Sequence, residues 1–256
     1  MKISVITVCL NVEDTIAETL YSVASQTYKN VEHIIIDGSS TDKTLEIVKS
    51  FERENLKVVS EPDSGIYEAM NKGIAMATGD YLFCLNANDK FIHNKVLEII
   101  VNKGLNSGKD LVFGTYFEQC FKTGKYGIKK QNNLNKFDLW QACPLHSTLF
   151  CKKELFDKFG VFDTSYKICG DYDWSIRVLT KEKLSFCYID TLVNLFDASG
   201  ISSTRSSLHE SERQRVENKY FSKLEILLFK LLDTRRGRKL VRTKLFGKLF
   251  GVPSFN

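Results

Sequence analysis

The chain has 256 residues, 43% of them apolar and 26% charged, with 15 Gly and only 3 Pro. That balance excludes disordered, collagenous and low-complexity proteins and predicts one large domain, or a domain with an appendage, around a sizeable core. The formal charge of +5 is uneven: from Arg213 onward there are 12 Lys/Arg against 3 Asp/Glu, whereas residues 1–212 carry 24 against 28, so basicity belongs to the tail and no nucleic-acid partner is expected.

Ile3 to Val8 is a β-branched run that predicts a first strand, ended by the polar Asn11. Glu13 to Ser25 predicts a helix, with Ile16, Leu20 and Val23 at three- and four-residue spacing. A second strand over Val31 to Ile36 halts at Asp37-Gly38-Ser39-Ser40, and Thr41 is expected to cap the next helix, marked by Thr44, Leu45, Val48 and Phe51. Leu56 to Ser60 predicts a third strand, Gly65 to Ala77 a helix stopped by Gly79, and Tyr81 to Leu85 a fourth strand apolar enough to be covered on both faces. Beyond residue 100 the alternation weakens. Leu111 to Phe117 and Phe186 to Ile189 read as strands, Lys152 to Phe159 and Tyr172 to Thr180 as helices, and 121–136 as a Gly/Lys/Asn-rich loop. From about Arg213 the chain reads as helical and basic.

Strand–helix alternation predicts an α/β domain with a mostly parallel central sheet flanked by helices. Ligands of such sheets bind beyond the carboxyl ends of the strands. The polar clusters fall there: Asn11 and Glu13, then Asp37, then Asp63, then Asn86 to Asp89. Seven scattered cysteines without a CxxC pair read as reduced thiols in a cytosolic protein. The first residues do not read as a signal peptide, and no apolar run approaches the ~18 residues needed to cross a bilayer. A cytoplasmic location is therefore expected.

Three clusters carry candidate chemistry. Asp37-Gly38-Ser39-Ser40 can accept hydrogen bonds from a base or ribose while its amides approach a phosphate, or can be an ordinary turn. In Asn86-Ala87-Asn88-Asp89, one carboxylate and neutral amide oxygens can hold a hard divalent cation, or Asp89 can cap the helix expected at Lys95 to Val101. Asp171, at the start of a helix, can be a cap or, lifted into a pocket, a general base.

Taken in order, these segments resemble family 2 glycosyltransferases, which have the GT-A fold. The resemblance rests on Ile3 to Asn11, Ile34 to Thr44, Glu61 to Tyr81, His146 to Phe150, and Gly160-Val161-Phe162-Asp163 followed by Gly170-Asp171-Tyr172-Asp173-Trp174 and Arg177. It covers about residues 1–200. A nucleotide-binding half over 1–100 and an acceptor and catalytic half over 101–212 are expected with it, and the charge and spacing of the tail predict a basic helical extension over 213–256. The resemblance implies inverting transfer of a sugar from a nucleotide-sugar, most often UDP-linked, to an acceptor hydroxyl. By this similarity Thr7, Asn11 and Glu13 lie around the nucleoside and Asp37 contacts the base. Asn71 and Lys72 lie near the ribose or diphosphate, Asn86, Asn88 and His146 near donor or acceptor, and Asp171 is the catalytic base. The family commonly carries Asp-x-Asp where this chain has Asn86 and Asn88, leaving Asp89 as the sole carboxylate for Mg²⁺ or Mn²⁺. It often has Glu-Asp at the base, where this chain has Gly170-Asp171.

A sugar nucleotidyltransferase would show a Gly-rich basic loop after the first strand, and an oxidoreductase a GxGxxG there; Asn11-Val12-Glu13-Asp14 is neither. A non-catalytic nucleotide-sugar-binding protein is the alternative suggested by the missing acidic pair. In the tail, Val216, Tyr220, Leu224, Leu227 and Leu231 recur at helical spacing, to pack on the domain or enter a membrane surface. The polybasic run Arg235 to Lys248 leans the reading towards a peripheral protein at the inner face of the cell membrane, acting on a glycan or lipid-linked acceptor.

Overall fold

The computed structural model describes residues 1–130, 136–141, 146–181, 184–200 and 206–234. Cys143 and the run Arg235 to Lys248 lie outside the described residues; the six described cysteines are unpaired.

The first half follows the expected alternation. Strands β1 (Ile3–Cys9), β2 (Val31–Asp37), β3 (Leu56–Ser60) and β4 (Tyr81–Cys84) run parallel in the order β3-β2-β1-β4. Helices α1 (Ile16–Ala24), α2 (Thr44–Ser50) and α3 (Ile66–Met76) connect them. Every residue of β1 and β2 is buried, as a strand covered on both faces requires. Alternate side chains serve opposite cores. Ile6, Val8, Ile34 and Ile36 join Tyr67, Met70 and Ile74 of α3. Ile3, Val5 and Phe83 join Val96, Leu97 and Ile100 of α4 (Val96–Lys103) on the other face.

The sheet is not mostly parallel throughout. Past β4 it continues through β8 (Leu149–Lys152), β6 (Leu111–Cys120) and β9 (Phe186–Asp197) to the short β5 (Lys90–Phe91). β8 is antiparallel to both neighbours, β6 and β9 are parallel, and β5 is antiparallel to β9. The stretch expected as a loop over 121–136 contains β7 (Lys125–Lys129), a hairpin partner of β6. The hairpin turns at Gly124, whose φ of 68° suits glycine.

Two local expectations are corrected. Thr41 does not cap α2; its amide donates to Asn11 Oδ1, and Asp42 Oδ1 accepts from Thr44 N at 2.9 Å. Gly79 does not end α3, which stops at Met76. Gly79 is small because a Cβ there would meet Ser4 N at 2.7 Å and Lys2 O at 2.9 Å.

Helices α5 (Lys136–Gln141), α6 (Glu154–Phe159) and α7 (Gly170–Lys181) complete the second half. The chain then forms α8 (Ser207–Tyr220) and α9 (Lys223–Leu232), separated by a break where Ser222 and Glu225 form a reciprocal capping box. The extension expected from residue 213 thus begins inside α8. This helix pair packs on the domain. Buried Asp173 accepts from Lys219 Nζ at 2.8 Å and Tyr220 OH at 3.1 Å, and Phe229 meets Phe137, Trp140 and Phe221 with ring centroids 5.7 Å apart. Among the described residues no helix is long and apolar enough to cross a membrane.

Candidate active site

The carboxyl ends of β1 and β4, the start of α3 and the β6–β7 hairpin enclose a cleft of about 1440 Å³. Asn86, Asn88, Asp89, His146 and Asp171 all line it. Residues 85 positions apart in sequence therefore line the same cleft.

Asp171 sits in the first turn of α7 with its side chain 20% exposed to the cleft. Its Oδ2 lies 3.1 Å from His146 Nδ1. Its Oδ1 accepts from the Tyr172 amide at 2.9 Å and faces Tyr67 OH at 3.0 Å. The Tyr67 hydroxyl also reaches Ile168 O at 2.6 Å, so its single proton lies between carbonyl and carboxylate. Beyond His146, Asn86 Nδ2 lies 3.0 Å from Nε2. With Nε2 accepting from that amide, Nδ1 carries the proton that faces Asp171.

The electrostatics follow from this chain of contacts. Burial pushes the Asp171 carboxyl up, but the His146 hydrogen bond and charge, Tyr67 and the Tyr172 amide outweigh it and leave Asp171 below its ordinary value. Burial opposes protonation of His146, but Asp171 and the Asp89 charge outweigh it and hold the imidazole above its ordinary value. Burial, then the Asp171 charge, keeps Tyr67 neutral well above its usual range. The cleft thus presents an ionised, oriented carboxylate.

Asp89 is the opposite case. It is 2% exposed, and burial pushes its carboxyl up to about 7. Its Oδ1 accepts from Asp197 N at 3.0 Å, while Oδ2 has no hydrogen-bond partner among the described residues. Asn86 Oδ1 is likewise buried and unpartnered. Thr19, on α1, fixes this loop by donating to Ala87 O (2.7 Å) and Asp89 O (2.8 Å); Thr15 OH donates to Asn88 Oδ1 at 2.7 Å. Asp89 does not cap α4, whose N-cap is Lys95.

Four of the residues expected around the nucleotide make hydrogen bonds within the protein. Thr7 is fully buried with Oγ1 on His33 Nε2 (3.0 Å). Asp37, also fully buried, accepts from Ser40 N (3.1 Å), Ser40 OH and Ser60 OH (2.6 Å), shaping the loop after β2. Asn71 grips the backbone of Phe162 with both ends of its amide, at 2.9 and 3.0 Å. Lys72 donates to Pro62 O and pairs with Glu61 and Glu68. Asn11 and Glu13 are exposed beside the cleft residues Leu10 and Val12, and accept from Thr41 N and Lys43 N, tying the loops after β1 and β2 together. Asn11 does so at φ 51°, a left-handed conformation that Asn tolerates.

The structure adds groups the sequence reading missed. Tyr67 is one. Glu212 of α8 is another: its carboxylate accepts from the amides of Lys167 (2.7 Å), Ile168 (2.8 Å) and Cys169 (3.0 Å), the residues that lead into Asp171. Gly170 is explained too. A Cβ there would lie 2.8 to 2.9 Å from three Tyr67 ring carbons, so the Tyr67 ring fills the space a larger residue would need.

Comparison with known proteins gives the family and the fold. The model of "Glycosyl transferase family 2" matches residues 4–182. A PGL/p-HBAD biosynthesis glycosyltransferase of Mycobacterium bovis is 30% identical over 206 residues, 78% of this chain and 79% of its own. An uncharacterized glycosyltransferase of Mycobacterium tuberculosis is 31% identical over 209 residues, 79% of this chain and 78% of its own. Among solved structures, S. aureus TarS in complex with UDP-GlcNAc is similar with a TM-score of 0.74 at 18% identity, over 97% of this chain and 78% of that one. Mannosyltransferase PcManGT from Pyrobaculum calidifontis, in complex with GDP-Man and Mn²⁺, gives 0.58 at 15% identity, over 97% and 83%. On sequence, fold and the composition of its cleft, the chain belongs to glycosyl transferase family 2 and is a glycosyltransferase.

Proposed function

We propose that the chain transfers a sugar, with inversion at its anomeric carbon, from a UDP-linked donor to a hydroxyl of a glycan or lipid-linked acceptor in building a surface polysaccharide. The observation that carries this reading is the ionised Asp171 carboxylate, part exposed and oriented by His146, Tyr67 and Tyr172, in the same cleft as Asp89. The UDP-GlcNAc complex of the similar TarS supports the choice of donor.

In this mechanism Asp171 takes the acceptor proton as that oxygen bonds to the anomeric carbon. The bond from carbon to diphosphate breaks, and its electron pair leaves with the nucleotide. His146 holds Asp171 at its angle. Leu10 and Val12 line the nucleoside end, with Asn11 and Glu13 bracing the loop behind them.

The residues present fit a divalent cation. The buried, unpartnered Asp89 Oδ2 and Asn86 Oδ1 are hard oxygen donors that would hold such a cation. Mg²⁺ or Mn²⁺ bound there neutralises charge on the departing diphosphate. The enzyme works in the cytoplasm, peripherally at the inner membrane face.

Replacing Asp171 by Asn tests the reading. Transfer is expected to fall on the order of 10²- to 10⁴-fold, while the thermal stabilisation given by UDP with Mn²⁺ persists. Asp89→Asn should instead lose the Mn²⁺-dependent part of that stabilisation. Normal turnover by the Asp171 variant would overturn the mechanism.

A further inference from the structure

Helix α9 is apolar on two sides, and among the described residues only one is covered. Ile226, Phe229 and Leu232 turn inward, with Phe229 fully buried. Leu224, Leu227, Leu228 and Leu231, at i, i+3, i+4 and i+7, form a stripe exposed by 66, 55, 37 and 66%. A helix apolar all round belongs in an interior or against a partner.

We propose that this leucine stripe is the surface by which the enzyme enters the headgroup region of an anionic lipid bilayer. It identifies the face that serves the membrane location proposed above, and it does not depend on the sugar-transfer chemistry. Charge selects this occupant. Lys223 and Lys230 are exposed on one flank of the stripe, and Glu225, the helix's only acidic residue, turns away to pair with Lys136 at 3.0 Å. Beyond Asp233 the sequence then brings seven Lys/Arg between Arg235 and Lys248 and no acidic residue up to Asn256. A second copy of the same face would bring like charges together. An anionic surface satisfies leucines and lysines at once, since apolar insertion and electrostatic attraction add. The α8–α9 pair that carries the stripe also carries Glu212, so the docked element is the one braced against the segment before Asp171.

The full chain is tested by co-sedimentation with vesicles of phosphatidylcholine alone and of an equal mixture with phosphatidylglycerol. Binding to the mixed vesicles is expected, together with loss on the order of tenfold in the variant Leu224→Ser/Leu227→Ser/Leu231→Ser. These positions are exposed, so folding is unaffected. Leu227→Trp should show bluer emission on adding mixed vesicles. A wild-type chain that stays in solution, or a serine variant that sediments equally, overturns the proposal. So does a wild-type dimer that the serine variant converts to monomer without any vesicle binding. UDP calorimetry on the same proteins separates this outcome from the sugar-transfer reading, whose failure would leave vesicle binding intact.

Discussion

Replacing Glu212 by Gln probes how a helix outside the nucleotide-binding half holds the proposed base. Two carboxylate oxygens take three successive amides at 2.7, 2.8 and 3.0 Å, and the residue is 7% exposed. The amide side chain keeps one oxygen. Its NH₂ faces one of the former donors, so at least one charge-assisted bond is lost and the negative charge before α7 disappears. Hydrogen bonds to charged groups are worth about 1.5 to 3 kcal/mol, and a charge at a helix start about 0.3 to 1 kcal/mol. The expected cost is therefore about 2 to 4 kcal/mol, read as a lower urea midpoint with an unchanged slope. Ile168, one of the three donors, also accepts from Tyr67 OH, which touches Asp171. Slack in this loop should misplace the carboxylate, lowering kcat by about ten- to a hundredfold while KM for the nucleotide-sugar stays within about twofold. An unfolding midpoint and a kcat both equal to wild type would refute the reasoning.

Two further perturbations follow from contacts described above. Gly170→Ala places a Cβ against the Tyr67 ring, an overpacking that should cost roughly 1 to 3 kcal/mol; adding Tyr67→Leu should recover part of the thermal midpoint but not activity, and an unshifted midpoint in the single variant would count against the clash. His33 is buried between Thr7 and Arg53, and burial followed by the Arg53 charge brings its pKa down to about 3 from 6.5. The folded state keeps His33 neutral while the unfolded chain protonates below 6.5, so stability is complete above that pH and falls by about 1.4 kcal/mol per unit towards pH 3. Urea titrations at pH 6.5 and 4.5 should differ by about 2 to 3 kcal/mol from this group, and His33→Gln should shrink the difference; an equal difference in the variant would contradict it.

Most of the first half was legible because its signals are local. The β1 and β2 strands show as β-branched, largely apolar runs, and the helix between them as three- and four-residue spacing. The convergence of Asn86, Asp89, His146 and Asp171 was legible only through the order of motifs. What escaped depends on distant partners. The sharing of the Asp37 carboxylate between Ser40 and Ser60 was not legible, because Ser60 is brought in only by the fold. The grip of Asn71 on the Phe162 backbone was not legible either, because the two lie 91 residues apart. β7 was hidden because Lys125 to Lys129 is solvent-facing and Gly-containing, and its pairing with β6 carries it. The mixed second half of the sheet escaped for the same reason, since strand direction there is set by tertiary pairing.

Glu32 gathers Lys2, Lys57, Ser4 and Thr78 at the start of β2, and Lys2 N also donates to Asp80 at 2.7 Å. This anchorage lies at the end of the parallel strands opposite the cleft. A fluorophore or surface tether attached at Met1 would therefore report from a rigid, remote corner of the molecule, and immobilising the enzyme by that corner should leave both donor entry and acceptor approach unobstructed.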